Sequence, residues 1–324
     1  MRTDSHTMIC LPEQVSDAGS RQDACRAFLF ALACSCCLFF PMFSIHAQDV
    51  LPQERQKSLE ELLQEPPREC LPVREIPPED CAFDEGERLE FSVRYVWGIL
   101  DSEVGKASAT VAEAEGGSGV PLYHCIAEGR TSRFFDMFFK VRERFESWFR
   151  QSDMRPLASS RDTYEGGYEA RNNYRWIRPG EQIEADVYTT RLGDTSMVLP
   201  GTECTFDLVS LFYFARNLDF SNYEENVKYP ISFAIDDGIY NLYFIILGRE
   251  TIRIRGVGKF RTIKFAARMV AGEVFNGDTD MYIWVTDDKN KVPVYFESPI
   301  KVGSVSGRIT GFSGLKHPLD SKID

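Results

Sequence analysis

The sequence predicts an all-β fold: a curved antiparallel meander, sandwich or partial barrel. Three observations predict it. Apolar residues recur with a period of two over many short segments. Two pairs of such segments flank turn-forming residues, Asp236-Asp237-Gly238 and Asp287 to Lys291. Only one internal stretch reads clearly as a helix, with Leu208, Leu211, Phe212 and Ala215 at i, i+3, i+4 and i+7 after a cap at Thr205 or Asp207. The 324 residues, 43% hydrophobic and 27% charged, suffice for one large domain with a real core.

The elements follow in order. Arg21 and Arg26 precede an almost uncharged run from Ala27 to Phe43, followed by Ser44-Ile45-His46-Ala47, the basic, apolar and small-residue order of a secretory signal. The run is about 17 residues long and interrupted by Pro41, short of the roughly 20 that a membrane helix needs. Residues 1–47 are therefore expected to be a cleaved signal peptide. The mature protein is expected to be exported, to the periplasm or the outer-membrane periphery, with no transmembrane segment left. Residues 48–85 are acidic and hold Pro52, Pro66, Pro67, Pro72, Pro77 and Pro78, which fix φ and remove donors, so a leader or tether is expected there. One short helix, Gln53 to Gln64, fits between those prolines.

Residues 86–316 carry the β domain. Leu89, Phe91, Val93, Tyr95 and Trp97 alternate with Glu90, Ser92 and Arg94, which marks a half-buried strand. Further strands are expected at Ala107 to Ala112, Leu122 to Glu128, Val141 to Phe149, Ala158 to Tyr164, Asn172 to Ile177 and Ile183 to Thr189. Ile231 to Ile235 with Ile239 to Leu247, and Met281 to Thr286 with Val292 to Phe296, are expected hairpins. The Phe134 to Phe139 cluster reads as a second short helix or a buried loop. Residues 317–324 read as a polar tail.

The formal net charge is −12, and an acidic surface of this size repels phosphate backbones, so no nucleic-acid partner is expected. Cleavage after Ala47 leaves Cys70, Cys81, Cys125 and Cys204, which allow three pairings in an oxidising compartment. Cys70 with Cys81 is the expected pair, because it closes a short proline-rich loop with little else to hold it. The alternative, a zinc site, lacks the CxxC spacing and nearby histidines, since His124 and His317 lie far apart in sequence. No metal and no cofactor are expected.

Catalytic patterns fail on inspection. Gly303-Ser304-Val305-Ser306-Gly307 places Val305 where a nucleophile elbow needs serine. Gly256-Val257-Gly258 has Arg261 where a dinucleotide fingerprint needs glycine, and reads as a bend. Asp278 and Asp280 lack the further oxygens of a calcium loop. His124 and Cys125 are strand neighbours and point to opposite faces.

Gly86-Glu87-Arg88-Leu89-Glu90-Phe91, the run Phe206-Asp207-Leu208-Val209-Ser210-Leu211-Phe212-Tyr213-Phe214-Ala215-Arg216, and Trp284-Val285-Thr286-Asp287-Asp288 leading to Val292-Pro293-Val294 occur in the order of an envelope family. The chain resembles that family, called domain of unknown function 3108, over about Gly86 to Phe312. The family often has Pro after the mid-chain Asp, where this chain has Leu208. The resemblance implies a YmcC-like, strongly curved antiparallel sheet, like a half-barrel, with the helix on its concave side. It implies no chemistry.

The functional expectation is a non-enzymatic scaffold that binds an amphiphile or a partner during envelope or surface-polysaccharide assembly. Its candidate ligands are a lipid, a glycan or an envelope protein. Tyr95, Trp97 and Trp176 are the expected apolar groove residues. Arg253 and Arg255, in the positive stretch Arg249 to Lys264, are expected to meet an anionic headgroup or glycan, with Ile252 and Ile254 on the opposite face. The alternatives are an integral outer-membrane barrel and a carboxylate-dependent glycan hydrolase.

Overall fold

The computed structural model describes residues 71–178, 182–268, 280–300 and 302–323. The described residues fall within one compact unit. The signal peptide read over 1–47 and the helix read over Gln53 to Gln64 lie outside the described residues, as does Cys70.

The strands are β1 (Arg88–Trp97), β2 (Leu100–Glu115), β3 (Pro121–Thr131), β4 (Val141–Arg150), β5 (Pro156–Glu165), β6 (Tyr168–Arg178), β7 (Gln182–Thr189) and β8 (Gly193–Leu199). A two-residue strand β9 (Thr205–Phe206) leads into helix α1 (Leu208–Arg216). Strands β10 (Lys228–Ile235), β11 (Gly238–Ile254), β12 (Gly258–Arg268), β13 (Asp280–Thr286), β14 (Pro293–Pro299) and β15 (Ser304–Ser313) complete the order. They form one 15-stranded sheet, β8-β7-β6-β5-β4-β3-β2-β1-β15-β14-β13-β12-β11-β10-β9. Every pairing is antiparallel except the short parallel contact of β9 with β10. The two expected hairpins form as β10–β11 and β13–β14. In the first of them Asp236, at φ 50°, takes the positive-φ position rather than Gly238.

Register shifts at Val93/Arg94, Trp148/Phe149, Ile246/Gly248 and Trp284/Val285 bend the sheet. The curved sheet wraps α1. One core cluster joins Val111, Tyr123, Cys125 and Phe149 of β2 to β4 with Phe244, Ile246, Ile263 and Val285 of β11 to β13, and Val209, Tyr213 and Phe214 of the helix lie among them. The helix thus sits on the concave side. Its cap is Asp207, whose side chain accepts from the N–H groups of Val209 and Ser210 (2.9 and 3.0 Å) and from Ser147 Oγ at 2.7 Å. Leu208 in place of proline leaves that cap intact.

The three segments that carry the family resemblance meet at one buried ion pair. Arg216 at the end of α1 donates to Glu87 through Nη1 (2.5 Å) and Nη2 (2.8 Å), and both side chains are almost wholly buried. Its Nε and Nη2 also reach Asn290 O, at 3.2 and 2.9 Å, in the turn before Val292. The guanidinium lies over the rings of Phe83, Phe212 and Tyr213.

Three expectations need correction, and a fourth is narrowed. A domain boundary at residue 86 falls inside the packed unit, because Ala82 and Phe83 are fully buried in the core around α1 and Leu71 joins them. The tail is also built in: Ser321 is buried, and its hydroxyl donates to Asp288 Oδ2 at 2.6 Å. The Phe134 to Phe139 cluster is not a buried loop: it holds a short helix, a single 3-10 turn (Phe135–Met137), with its apolar side chains largely exposed. Cys81 is a buried free thiol, as is Cys125, so Cys81 is not joined to Cys70. It needs no bridge, because packing fixes its segment: Ala82 N donates to Asn217 Oδ1 at 2.9 Å, and His317 Nε2 lies 2.8 Å from Cys81 O. Cys204 is disulfide-bonded.

Candidate functional site

The strand register determines which turns share an edge. Val96 lies opposite both Asp101 and Ser304, Gly105 opposite Thr131, Val141 opposite Glu165, and Ala170 opposite Thr189. The turns β1–β2, β3–β4, β5–β6, β7–β8 and β14–β15 therefore line one edge of the sheet. The β10–β11 turn joins that edge, because β11 begins alongside the end of β12 and β12 ends alongside the start of β13.

Just inside this edge, on the concave face, lies a chain of polar side chains from four elements. Asp236 Oδ1, in the β10–β11 turn, accepts from Arg161 Nη1 of β5 (2.7 Å) and from Asn172 Nδ2 of β6 (2.8 Å). Its backbone oxygen accepts from Tyr174 Oη at 2.9 Å. Arg161 Nε donates to Thr163 Oγ1 (2.8 Å), which donates in turn to Glu143 Oε2 of β4 (2.6 Å). The guanidinium also covers the Phe145 ring. These contacts tie β5 and β6 to the β10–β11 turn, and Trp176 Nε1 adds a bond to Thr205 O at 3.1 Å. Side chains thereby bridge the open seam that the backbone ladder leaves.

One acceptor near this mouth has no donor: Asn172 is fully buried and its Oδ1 is unpartnered. The Glu143 carboxyl accepts from Thr163 and also interacts with Glu165. Burial pushes the Glu143 carboxyl up to about 8, the nearby Glu165 charge adds to the shift, and the Thr163 hydroxyl opposes it. A water-sized cleft of about 20 Å³ opens beside the chain, between Phe145, Ser159, Arg161, Tyr174, Leu208 and Ala234. Behind it α1 and Phe83 fill the concave face.

The edge carries many of the exposed apolar side chains. Of the twelve large hydrophobic residues exposed among the described residues, eight stand on these turns or at their borders. Trp97 and Ile99 come from β1–β2, and Val302 from β14–β15. Leu192 belongs to β7–β8, and Phe134, Met137, Phe138 and Phe139 to β3–β4. The last loop is held firmly. Asp136 accepts from Thr131 Oγ1 at 2.6 Å and from Arg142 Nη1 and Nη2 at 2.9 and 2.5 Å, and these bonds lower its pKa to about 2. Phe139 lies across Gly166, where a Cβ would come within 2.1 Å of its ring.

The residues expected to bind ligand are not brought together. Tyr95 and Trp97 stand at the apolar edge, with Tyr95 Oη donating to Val302 O at 3.0 Å. Trp176 is a core residue packed with Tyr174, Ile183 and Leu199. Arg253 and Arg255 are exposed near the β11–β12 turn, at the opposite edge, with Ile254 buried behind them. There Arg255 and Arg308 border a shallow hollow of about 300 Å³, and Arg308 Nη1 donates to Arg255 O at 3.1 Å. His124 faces away from Cys125, stacked on Trp148 and 2.9 Å from Glu146. Sequence reasoning missed Glu143, Arg161 and Asn172. The one available signal was Asp236 in a turn already expected, whose carboxylate had no stated task.

Among known proteins, a family model described as "Protein of unknown function (DUF3108)" matches residues 90–310. A solved beta-barrel-like protein of domain of unknown function DUF1849 from Brucella abortus is similar at 9% identity and a TM-score of 0.46, covering 76% of this chain and 100% of its own. No curated protein matches the sequence.

Proposed function

The chain belongs to the DUF3108 family, and on that premise we propose that it is a non-catalytic binding scaffold of the cell envelope. Its mouth takes the polar head of an amphiphile or glycan. The observation that carries this reading is the buried Asn172 Oδ1, which has no donor and is linked through Asp236 to Arg161 at the border of the cleft. A buried acceptor without a donor costs about 1 to 3 kcal/mol, and a ligand hydroxyl or ammonium relieves that cost. The filled concave face favours a head over an acyl tail, because α1 and Phe83 occupy the space a tail would need. The open sheet, with β8 and β9 at its two ends, speaks against an integral barrel, which must close to satisfy its backbone in lipid.

Saturation-transfer NMR on protein recovered from an exporting host, with glycerol, ethanolamine and short glucans as probes, tests the reading. At least one probe is expected to bind, and Asn172→Leu is expected to weaken it about tenfold while leaving the circular dichroism spectrum unchanged. No binding by any probe, or equal binding by the variant, overturns the proposal. Turnover of a glucan that disappears in Glu143→Gln would also overturn it, in favour of a hydrolase.

A further inference from the structure

We infer that the apolar edge docks the protein on the surface of an anionic phospholipid bilayer. The inference rests on the edge alone and goes beyond the proposal for the mouth.

Apolar side chains scattered singly over a surface need no explanation, but a contiguous set does. Here the register gathers turns that are far apart in sequence onto one edge, and the exposed apolar residues gather with them. The other four exposed large hydrophobics, Ile177, Val198, Val227 and Ile323, lie apart from these turns. The arrangement is also maintained. Asp136, bound to Thr131 and Arg142, fixes the β3–β4 loop so that Phe134, Met137 and Phe138 face outward. A loop free to choose would turn such side chains inward.

Charge selects the partner. The chain as a whole is acidic, yet Arg133 and Lys140 are exposed at the two ends of the phenylalanine loop, whose one carboxylate, Asp136, is paired with Arg142. Apolar tips flanked by cations, with a half-exposed tryptophan at the border, match a bilayer interface: side chains enter the acyl boundary and the cations meet anionic headgroups. The edge consists of separate turn tips, which a fluid surface accommodates one by one. Docking in this way turns the mouth, which lies just inside the same edge, toward the headgroup layer.

Flotation with phosphatidylcholine vesicles, with and without phosphatidylglycerol, tests this on protein recovered from an exporting host. The same N-terminus on every variant removes any contribution of that segment to the differences. The protein is expected to float with phosphatidylglycerol vesicles and to float less at about 1 M salt, where charge is screened beyond about 3 Å. The double variant Phe134→Ser/Phe138→Ser is expected to lose about tenfold or more in partitioning. Ile99→Ser/Met137→Ser, at two strongly exposed positions that folding does not need, is expected to do the same. Val198→Ser, exposed but off the edge, is expected to change nothing. Three results overturn the inference: no flotation of the folded protein with either vesicle, equal flotation of both double variants, or a soluble dimer that the same variants dissolve, which would make a second copy the occupant.

Discussion

Glu87 and Arg216, at the far end of β1 from the apolar edge, have a partner for every side-chain nitrogen and oxygen, whereas Asn172, close to that edge, keeps a buried oxygen without a donor. Both clusters are polar, and both knit distant strands together. They differ in what completes them. The Glu87–Arg216–Asn290 contact is closed by the protein itself, from the three segments that carry the family resemblance, so its task is to hold helix α1 in the curl of the sheet. The mouth is closed only in part. A polar group left without a partner in a folded interior is where a ligand has something to gain, and the comparison therefore separates what builds the fold from what is available for binding.

The largest expected effect breaks the first cluster. Arg216→Ala strands the Glu87 carboxylate in the core and should cost about 3 to 5 kcal/mol, read by chemical denaturation. Replacing both partners with apolar groups, Glu87→Leu/Arg216→Met, should recover most of that loss, since a buried pair contributes little over well-packed apolar substitutes. If the double variant is as unstable as Arg216→Ala, the bonds to Asn290 O matter more than the pair itself, and the two clusters differ less than argued.

A middle-sized effect is expected at Asp207, which links helix and sheet through Ser147 and caps α1 at once. Asp207→Ala removes the cap and leaves the Ser147 hydroxyl without its acceptor, for a loss of about 2 kcal/mol. Asp207→Asn keeps an acceptor and should lose less. Equal losses for the two variants would place the cost in the carboxylate charge rather than in the cap.

The fold was legible where its cause is local. The strand at β1, the turn at Asp236 to Gly238 and the helical spacing from Leu208 to Ala215 depend on neighbours in sequence, and each appears where expected, although the bulge at Val93/Arg94 breaks the alternation of β1, with Ser92 buried and Trp97 exposed. The pairing of β1 with β15 was not legible, because it joins residues such as Leu89 and Phe312 that no short-range pattern connects. The mouth was hidden for the same reason: Glu143, Arg161, Asn172 and Asp236 come from three strands and a turn, and charged residues on alternating strands read as solvent-facing. The Phe134 to Phe139 loop was legible in its short helix but not in its exposure. Its composition implies burial, and only the register and the Asp136 anchor show that it is held outward. Cys81 misled because a short loop between cysteines suggests a bridge, while the packing of Ala82 and Phe83 already fixes that segment.

The smallest expected effect sharpens the comparison from the mouth. Burial raises the Glu143 carboxyl to about 8 in the folded state, while in the unfolded chain it titrates near the ordinary value of 4.5. The folded protein thus holds a proton that the unfolded chain releases between these two values. The associated stability is present in full below about 4.5 and is lost as pH rises toward about 8. In Glu143→Gln the position stays neutral at every pH and still accepts from Thr163. The variant should match the parent at pH 4 and exceed it by on the order of 1 to 2 kcal/mol at pH 9, the full linkage being reduced by the solvent that reaches the mouth. Denaturation midpoints at a series of pH values read the difference. A gap of the same size at both ends would mean that Glu143 titrates in the folded protein as it does in the unfolded chain, and at neutral pH the mouth would then offer a carboxylate rather than a neutral carboxyl to whatever it binds.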